Sequence, residues 1–363
     1  MTVDFEQARA FFLDGVTHCE AGRLPQAERS FAAALALAPG RLSVLSNLGV
    51  VRLKLGRTGE ALALLQEALA QEPGNAETLG HCGSALAELG RTREALEHFE
   101  RALAVDARPP TLWILRGNAL KELGRGAEAA RSFREALARG GDPELLGYYL
   151  AGLEGGAAPR HAPAQYVQAL FDGYAAQFDA HLAQTLRYDA PRVLAQRLAA
   201  QGRRWSHALD LGCGTGLCGP FLRARAERMT GVDLSANMLE KARSKGAYDA
   251  LVQGDVAAFL AQSQETFDLV VAADVFIYVG ALDEVFRLLA ARMPAGGSFC
   301  FTVEESQGPE LELRASLRYA HSESGIRRLA QQHGFAVDAM EKRPVREDQR
   351  VPIPGLFFWL ERA

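Results

Sequence analysis

Four aspartates and three glycines in the second half of the chain have the types and the spacing of a ligand site. Asp210, Gly212, Gly214 and Gly216 occupy alternate positions where a short apolar run meets a glycine-rich turn, with a helical pattern beyond. Glycines so placed let the backbone pass close to a ligand without side-chain clash, and the start of a following helix offers unpaired amides. Three later apolar runs also end on acids: Asp233 after Met229–Val232, Asp255 after Ala250–Gln253, and Asp274 after Phe267–Ala273. A carboxylate at the end of such a strand can grip both hydroxyls of a ribose.

The elements that position these acids follow from their separations. Asp210 to Asp233 is 23 residues, Asp233 to Asp255 is 22 and Asp255 to Asp274 is 19. Each interval is about one strand plus one crossover helix, so all four strand ends face one rim of a parallel sheet. That rim is the ligand crevice of an open doubly wound fold, and one nucleoside could touch every acid on it. A dinucleotide sets its pyrophosphate on the helix amides, whereas S-adenosylmethionine lacks phosphate and offers an amino group to a carboxylate. Asp210 ahead of a Gly-x-Gly-x-Gly spacing therefore suits the methyl donor better than a nicotinamide cofactor.

Residues 165 to 363 resemble the class I S-adenosylmethionine-dependent methyltransferases. The resemblance implies that Asp210, Gly212, Cys213, Gly214 and Gly216 line the methionine end and that Asp233 holds the ribose. Leu234 and Met238 would flank the adenine, Asp255 would accept from its amino group with Val256 alongside, and Asp274, Phe276 and Tyr278 would border the methyl. The stretch Phe171–Asp179 looks like an entry helix, in which Tyr174 closes over the cofactor; the stripe Tyr166, Leu170, Phe171, Tyr174 and Phe178 reads equally as core. The implied fold is a Rossmann-like seven-stranded α/β sheet, mostly parallel, whose closing pair Phe335–Met340 and Leu356–Leu360 brings in the antiparallel strand. S-adenosylhomocysteine would be the product.

Methyl transfer from a sulfonium requires alignment and a dry site more than covalent help. A poor nucleophile would need a base, for which His321 is the candidate; its alternative is a helix-start histidine bonding a carbonyl. Tyr278 is the second candidate for a catalytic role. Arg343, Arg346 and Arg350 have the guanidinium chemistry to pair with an acceptor carboxylate, with a solvated loop as the reading for at least two of them. No metal is expected, because Cys213 and Cys218 come with no further ligands. The fourth strand ends Ala273-Asp274-Val275-Phe276 instead of Asn-Pro-Pro-Tyr, which favours oxygen, carbon and some nitrogen acceptors: a small carboxylic acid or other metabolite first, a protein side chain next.

The first half of the chain repeats. Gly15, Gly49, Gly83 and Gly117 recur at 34 residues, and so do Ala27, Ala61, Ala95 and Ala129; Phe31, Leu65, Phe99 and Phe133; and Ala34, Ala68, Ala102 and Ala136. Small residues mark close helix crossings and the larger ones fill the space beside them. Gly-Arg pairs at 22–23, 56–57, 90–91 and 124–125 end the first helix of each unit. Roughly residues 5 to 143 resemble the tetratricopeptide repeat family, with Ala107 and Gly141 standing where Pro39 and Pro73 close the earlier repeats. The resemblance implies an all-α solenoid whose concave face captures a partner protein or peptide, or else self-association.

A chain of 363 residues with 48% hydrophobic and 23% charged residues is expected to bury two ordinary cores. The divisions expected are repeats over 1–150, a glycine- and proline-rich linker over 151–164 and the α/β domain over 165–363. A net charge of -4 disfavours nucleic acid as partner, and no apolar run is long enough for a membrane span. Five scattered cysteines point to a reducing, cytoplasmic compartment. An adaptor with a non-catalytic cofactor-binding domain is the alternative to an enzyme.

Overall fold

The computed structural model describes residues 2–174, 178–179, 186–348 and 350–363. They form two compact units, Met1–Glu154 and Gly155–Ala363. The first is helical throughout: α1 (Thr2–Glu20), α2 (Leu24–Leu37), α3 (Leu42–Lys54), α4 (Thr58–Gln71), α5 (Ala76–Glu88), α6 (Thr92–Val105), α7 (Pro110–Glu122), α8 (Gly126–Ala138) and α9 (Pro143–Glu154). The four registered glycines sit where the paired helix presses hardest. A Cβ on Gly15, Gly49, Gly83 or Gly117 would come within 2.8 Å of Phe31, Leu65, Phe99 or Phe133 respectively.

The Gly-Arg turns are Schellman caps. In the third repeat the Gly90 N–H donates to the Ala87 carbonyl and the Arg91 N–H to the Leu86 carbonyl, with Gly90 at φ 73°. Arg91 and Arg125 then reach forward to Glu94 and Glu128 in the next helix, each by a two-bond contact. Ala107, in a proline position, keeps its carbonyl occupied by Trp113 Nε1 at 2.9 Å and Arg139 Nε at 2.7 Å. Helix α9 covers the last pair, setting Tyr149 against Phe133 with ring centres 4.9 Å apart. It runs to Glu154, so the connecting segment is 155–163, shorter than the stretch expected.

The second unit contains α10 (Ala164–Tyr174), α11 (Ala190–Ala200), β1 (Trp205–Leu211), α12 (Gly219–Leu222), β2 (Ala226–Asp233), α13 (Ala236–Ser244), β3 (Ala250–Gln253), α14 (Val256–Gln262), β4 (Leu269–Ala272), α15 (Asp283–Arg292), β5 (Ser298–Glu305), β6 (Leu311–Leu313), β7 (Tyr319–His321), α16 (Glu323–Gln332), β8 (Phe335–Asp348) and β9 (Val351–Arg362). The strand order is β3-β2-β1-β4-β5-β9-β8, with β9 antiparallel to both neighbours. Period-two burial explains the double-sided core. Phe299, Phe301, Phe358 and Leu360 belong to one hydrophobic cluster, while Cys300, Phe357 and Trp359 join the other with Leu194 and Leu198 of α11.

Three features go beyond the expected seven strands. The short pair β6 and β7 is added at the end of β5, where Glu304 and Glu305 pair with Ala320 and His321. Strands β8 and β9 extend well past the expected apolar segments and pair along nearly their whole length. Helix α12 is a single turn, so the glycine loop is followed by little helix and few aligned amides. Among the described residues no helix is long and apolar enough to cross a membrane.

Candidate active site

Beyond β1 the chain turns through Gly212, Gly214 and Gly216, all in the left-handed region at φ 61°, 53° and 83°. Side chains are barred here for different reasons. A Cβ on Gly212 would meet Val275 and one on Gly216 would meet Tyr248 and Ala242, whereas among the described residues a Cβ on Gly214 would have only Phe178 nearby, at 3.9 Å. Asp233, at the end of β2, fastens this turn to the sheet rim. Its Oδ2 accepts from the Gly214 N–H and its Oδ1 from the Ser235 N–H, both at 2.8 Å. Burial raises the Asp233 pKa and the two amides work against that rise.

Asp210 lies deeper than the sequence suggested. It is 1% exposed and its Oδ2 accepts the Tyr248 hydroxyl at 2.6 Å, so one of its two carboxylate oxygens is taken by a tyrosine. Burial pushes its carboxyl up to about 7. Cys213 and Cys218 are buried free thiols, and no group of potential metal ligands occurs among the described residues.

The rim continues along the next strands. Leu234 is half-buried, Met238 is fully buried under the Ser235 cap of α13, and Val256 is buried at the start of α14. Asp255 is exposed and caps α14, its Oδ1 accepting from the Ala258 N–H at 2.9 Å. Segments ahead of β1 reach the same rim. Ser235 Oγ donates to Asp172 at 2.5 Å, Thr215 Oγ1 donates to Asp179 at 2.5 Å, and Lys245 pairs with Asp179 at 2.8 Å. Phe171 meets both Phe178 and Tyr278 edge-on, which places part of the aromatic stripe against the glycine turn. The side chain of Tyr174 lies outside the described residues.

Asp274 adopts φ 59°, an uncommon conformation for a non-glycine residue, with its N–H donating to Thr302 Oγ1 at 2.8 Å. Its carboxylate is held by Arg346, whose Nη1 lies 2.7 Å from both oxygens. Arg346 Nη2 also bonds Glu304, which receives Arg314 at 2.8 Å on its other oxygen. Arg346 is 3% exposed, so it is a buried ion-pair partner and not the solvated loop residue expected for most of its group. A β-bulge between Pro344 and Arg346 explains this: it lets Val345 and Arg346, adjacent in sequence, both point inward. Arg343 lies over the Phe357 ring, and Arg350 is exposed.

Tyr278 is half-buried beside Arg318; burial raises its pKa and Arg318 partly offsets the rise. His321 is 3% exposed within β7, and its Nε2 meets the Gly280 carbonyl at 2.7 Å. Burial pulls its pKa down to about 4, so the ring is neutral near pH 7, and its Nδ1 has no partner among the described residues. This geometry ties β7 to the loop after β4. The connecting segment is tied to the same loop, since the Ala162 N–H donates to the Tyr278 carbonyl and the Ala281 N–H to the Arg160 carbonyl.

A methyltransferase-domain family model matches residues 208–297, from β1 to just before β5. Two tetratricopeptide-repeat models match residues 41–108 and 83–143. The second unit carries a methyltransferase domain. Over 101 residues the chain is 38% identical to a malonyl-[acyl-carrier protein] O-methyltransferase of Enterobacter lignolyticus (strain SCF1), covering 28% of this chain and 39% of that protein. Over 62 residues it is 44% identical to a trans-aconitate 2-methyltransferase of Paracidovorax citrulli (strain AAC00-1), covering 16% and 24%. Both matches span well under half of the relatives' length. The crystal structure of the N-methyltransferase NodS from Bradyrhizobium japonicum WM9 with S-adenosyl-L-homocysteine covers 54% of this chain and 98% of that one, at 17% identity and a TM-score of 0.44. Tyr248, Thr302 and Glu304 are parts of the methyltransferase domain that sequence reasoning passed over. The glycines beyond the motif, Gly219 and Gly231, were the available signal for Tyr248.

Proposed function

We propose that this methyltransferase domain moves the methyl of S-adenosylmethionine to a carboxylate oxygen, on a small acid or on an acid presented by a partner protein. The observation that carries the donor half is the clamp of Asp233 on the Gly214 amide, which fixes a glycine-rich turn beside a partly buried carboxylate at one sheet rim. The residues fit that donor: Asp210, Gly212, Gly214 and Gly216 with Cys213 would line its methionine end and Asp233 would hold its ribose. Leu234, Met238, Asp255 and Val256 would surround the adenine. When bound, the donor supplies a methyl group on a positively charged sulfur.

The chain's own residues then hold the acceptor and keep water out. A carboxylate is already ionised near neutral pH, so no side chain has to take its proton. That agrees with a buried His321 tied to Gly280, and leaves Tyr278 and Arg318 as the wall and the charge beside the methyl end. The two relatives' names, each an O- or carboxylic-acid methyltransferase, favour a carboxylate acceptor over an amine. The repeats would recruit the protein that presents the acceptor, or pair two copies of the chain.

Methyl-labelled donor incubated with a panel of carboxylic acids tests this reading. Ester formation releases labelled methanol on treatment with alkali, and Asp233→Ala should abolish it. Label retained after alkali would exclude an ester and point to a hydroxyl oxygen, carbon or nitrogen. Donor binding without transfer to any acceptor would favour the adaptor reading, and near-normal turnover by His321→Ala would remove that residue from catalysis.

A further inference from the structure

Tyr248 lies in the loop between α13 and β3, and its ring occupies a place where three glycines from separate segments lack side chains. A Cβ on Gly216 would stand 2.9 Å from its Cε2; one on Gly219 would stand 2.7 Å from Ala247 and 2.9 Å from the same Cε2, and one on Gly231 would meet Leu251 at 2.8 Å, Cys213 at 2.9 Å and the tyrosine Cδ1 at 3.0 Å. The loop is pinned at the next residue. The Asp249 N–H donates to the Met229 carbonyl at 2.9 Å, and Asp249 Oδ2 accepts from the Met229 N–H at 2.7 Å. So fixed, the Tyr248 hydroxyl donates to Asp210 at 2.6 Å. We propose that Tyr248 is a positioning residue of the donor site, its hydroxyl holding the Asp210 carboxylate in place, and that the missing side chains of Gly216, Gly219 and Gly231 help to seat its ring.

The inference rests on the donor reading above. S-adenosylmethionine carries positive charge at its ammonium and its sulfonium, and a buried carboxylate attracts such charge where water does little screening. A protonated Asp210 would not. The groups facing Asp210 are Tyr248, Asp233, Cys218, Cys213, Cys300 and Tyr188, all neutral or acidic. Burial raises the Asp210 pKa most, the Tyr248 hydrogen bond lowers it, the Asp233 charge raises it and a Cys218 contact lowers it. The hydroxyl is therefore one of two groups that oppose the rise, and with its help about half of the carboxyl is ionised at neutral pH.

Titration of Asp210 by NMR in ligand-free protein with isotope-labelled aspartate, assigned through Asp210→Asn, separates this from a purely structural role. The wild type should titrate at about 7. Tyr248→Phe keeps the ring and removes the hydroxyl, and should raise the midpoint by about one pH unit, since a hydrogen bond to a charged group has that worth. Gly219→Ala keeps the hydroxyl but displaces the ring, and should shift the midpoint the same way. Calorimetric donor affinity should fall ~5-fold in Tyr248→Phe at neutral pH, as the ionised fraction of Asp210 drops, and recover at alkaline pH. An unchanged midpoint in both variants overturns the inference, as does a shifted midpoint with unchanged donor affinity. If wild type binds no donor while the midpoint still shifts, Tyr248 does hold Asp210 and it is the donor reading that fails.

Discussion

Glycine does opposite work in the two units. In the repeats, Gly15, Gly49, Gly83 and Gly117 are helical residues with ordinary dihedrals whose missing side chain admits a ring or a leucine from the paired helix. In the methyltransferase domain, Gly212, Gly214 and Gly216 bend the chain through left-handed conformations, and Gly216, Gly219 and Gly231 clear a place for one tyrosine. Polar groups divide the same way. The repeats keep their ion pairs near the surface, as at Arg91–Glu94 and Arg125–Glu128, while the second unit buries Asp210, Glu304, His321 and Arg346. Burying a charge or an unpaired ring nitrogen costs stability, so a chain that does it repeatedly in one region marks that region as the one with chemistry to perform.

The sharpest way to break this contrast is to remove a buried cation. Arg346→Met leaves Asp274 and Glu304 without their shared partner and should cost about 3–5 kcal/mol in denaturant unfolding, whereas Arg125→Met in the exposed pair should change nothing measurable. His321 provides the next largest effect. Burial lowers its pKa to about 4 from the ordinary histidine value of 6.5, so the unfolded chain takes up a proton first. Stability from this group is intact above pH 6.5, falls as pH drops below that, and is fully lost below pH 4. The loss amounts to about 3 kcal/mol, and His321→Asn should flatten that part of the stability-against-pH curve.

Within the repeats, Gly117→Ala should cost ~1–3 kcal/mol by forcing a methyl into Phe133. Pairing it with Phe133→Leu should recover part of that, because the two residues share one contact. The smallest effect is Asp255→Ala, which removes a helix cap worth ~1 kcal/mol while leaving the glycine turn untouched. A much larger loss there would place Asp255 in a broader network than its bond to Ala258.

Periodic features were legible and single contacts were not. The registered glycines and alanines gave the helix pairs, and the spacing of Asp210, Asp233, Asp255 and Asp274 gave the parallel sheet and its rim. The partner of Asp210 was hidden because Tyr248 comes 38 residues later and joins it only after β1 and β2 pair. The burial of Arg346 was hidden because a bulge breaks the alternation that would have put it on the solvent side. The strand β7 was hidden because three residues are too few to show a period, which left His321 looking like the start of a helix.

Titration of the full chain with S-adenosylmethionine in a calorimeter, alongside NADH and an Asp233→Ala variant, tests the central claim most directly. The expected result is a dissociation constant on the order of micromolar for the methyl donor, lost in the variant, and no binding of NADH. No heat from the methyl donor, or binding that Asp233→Ala leaves unchanged, would contradict it.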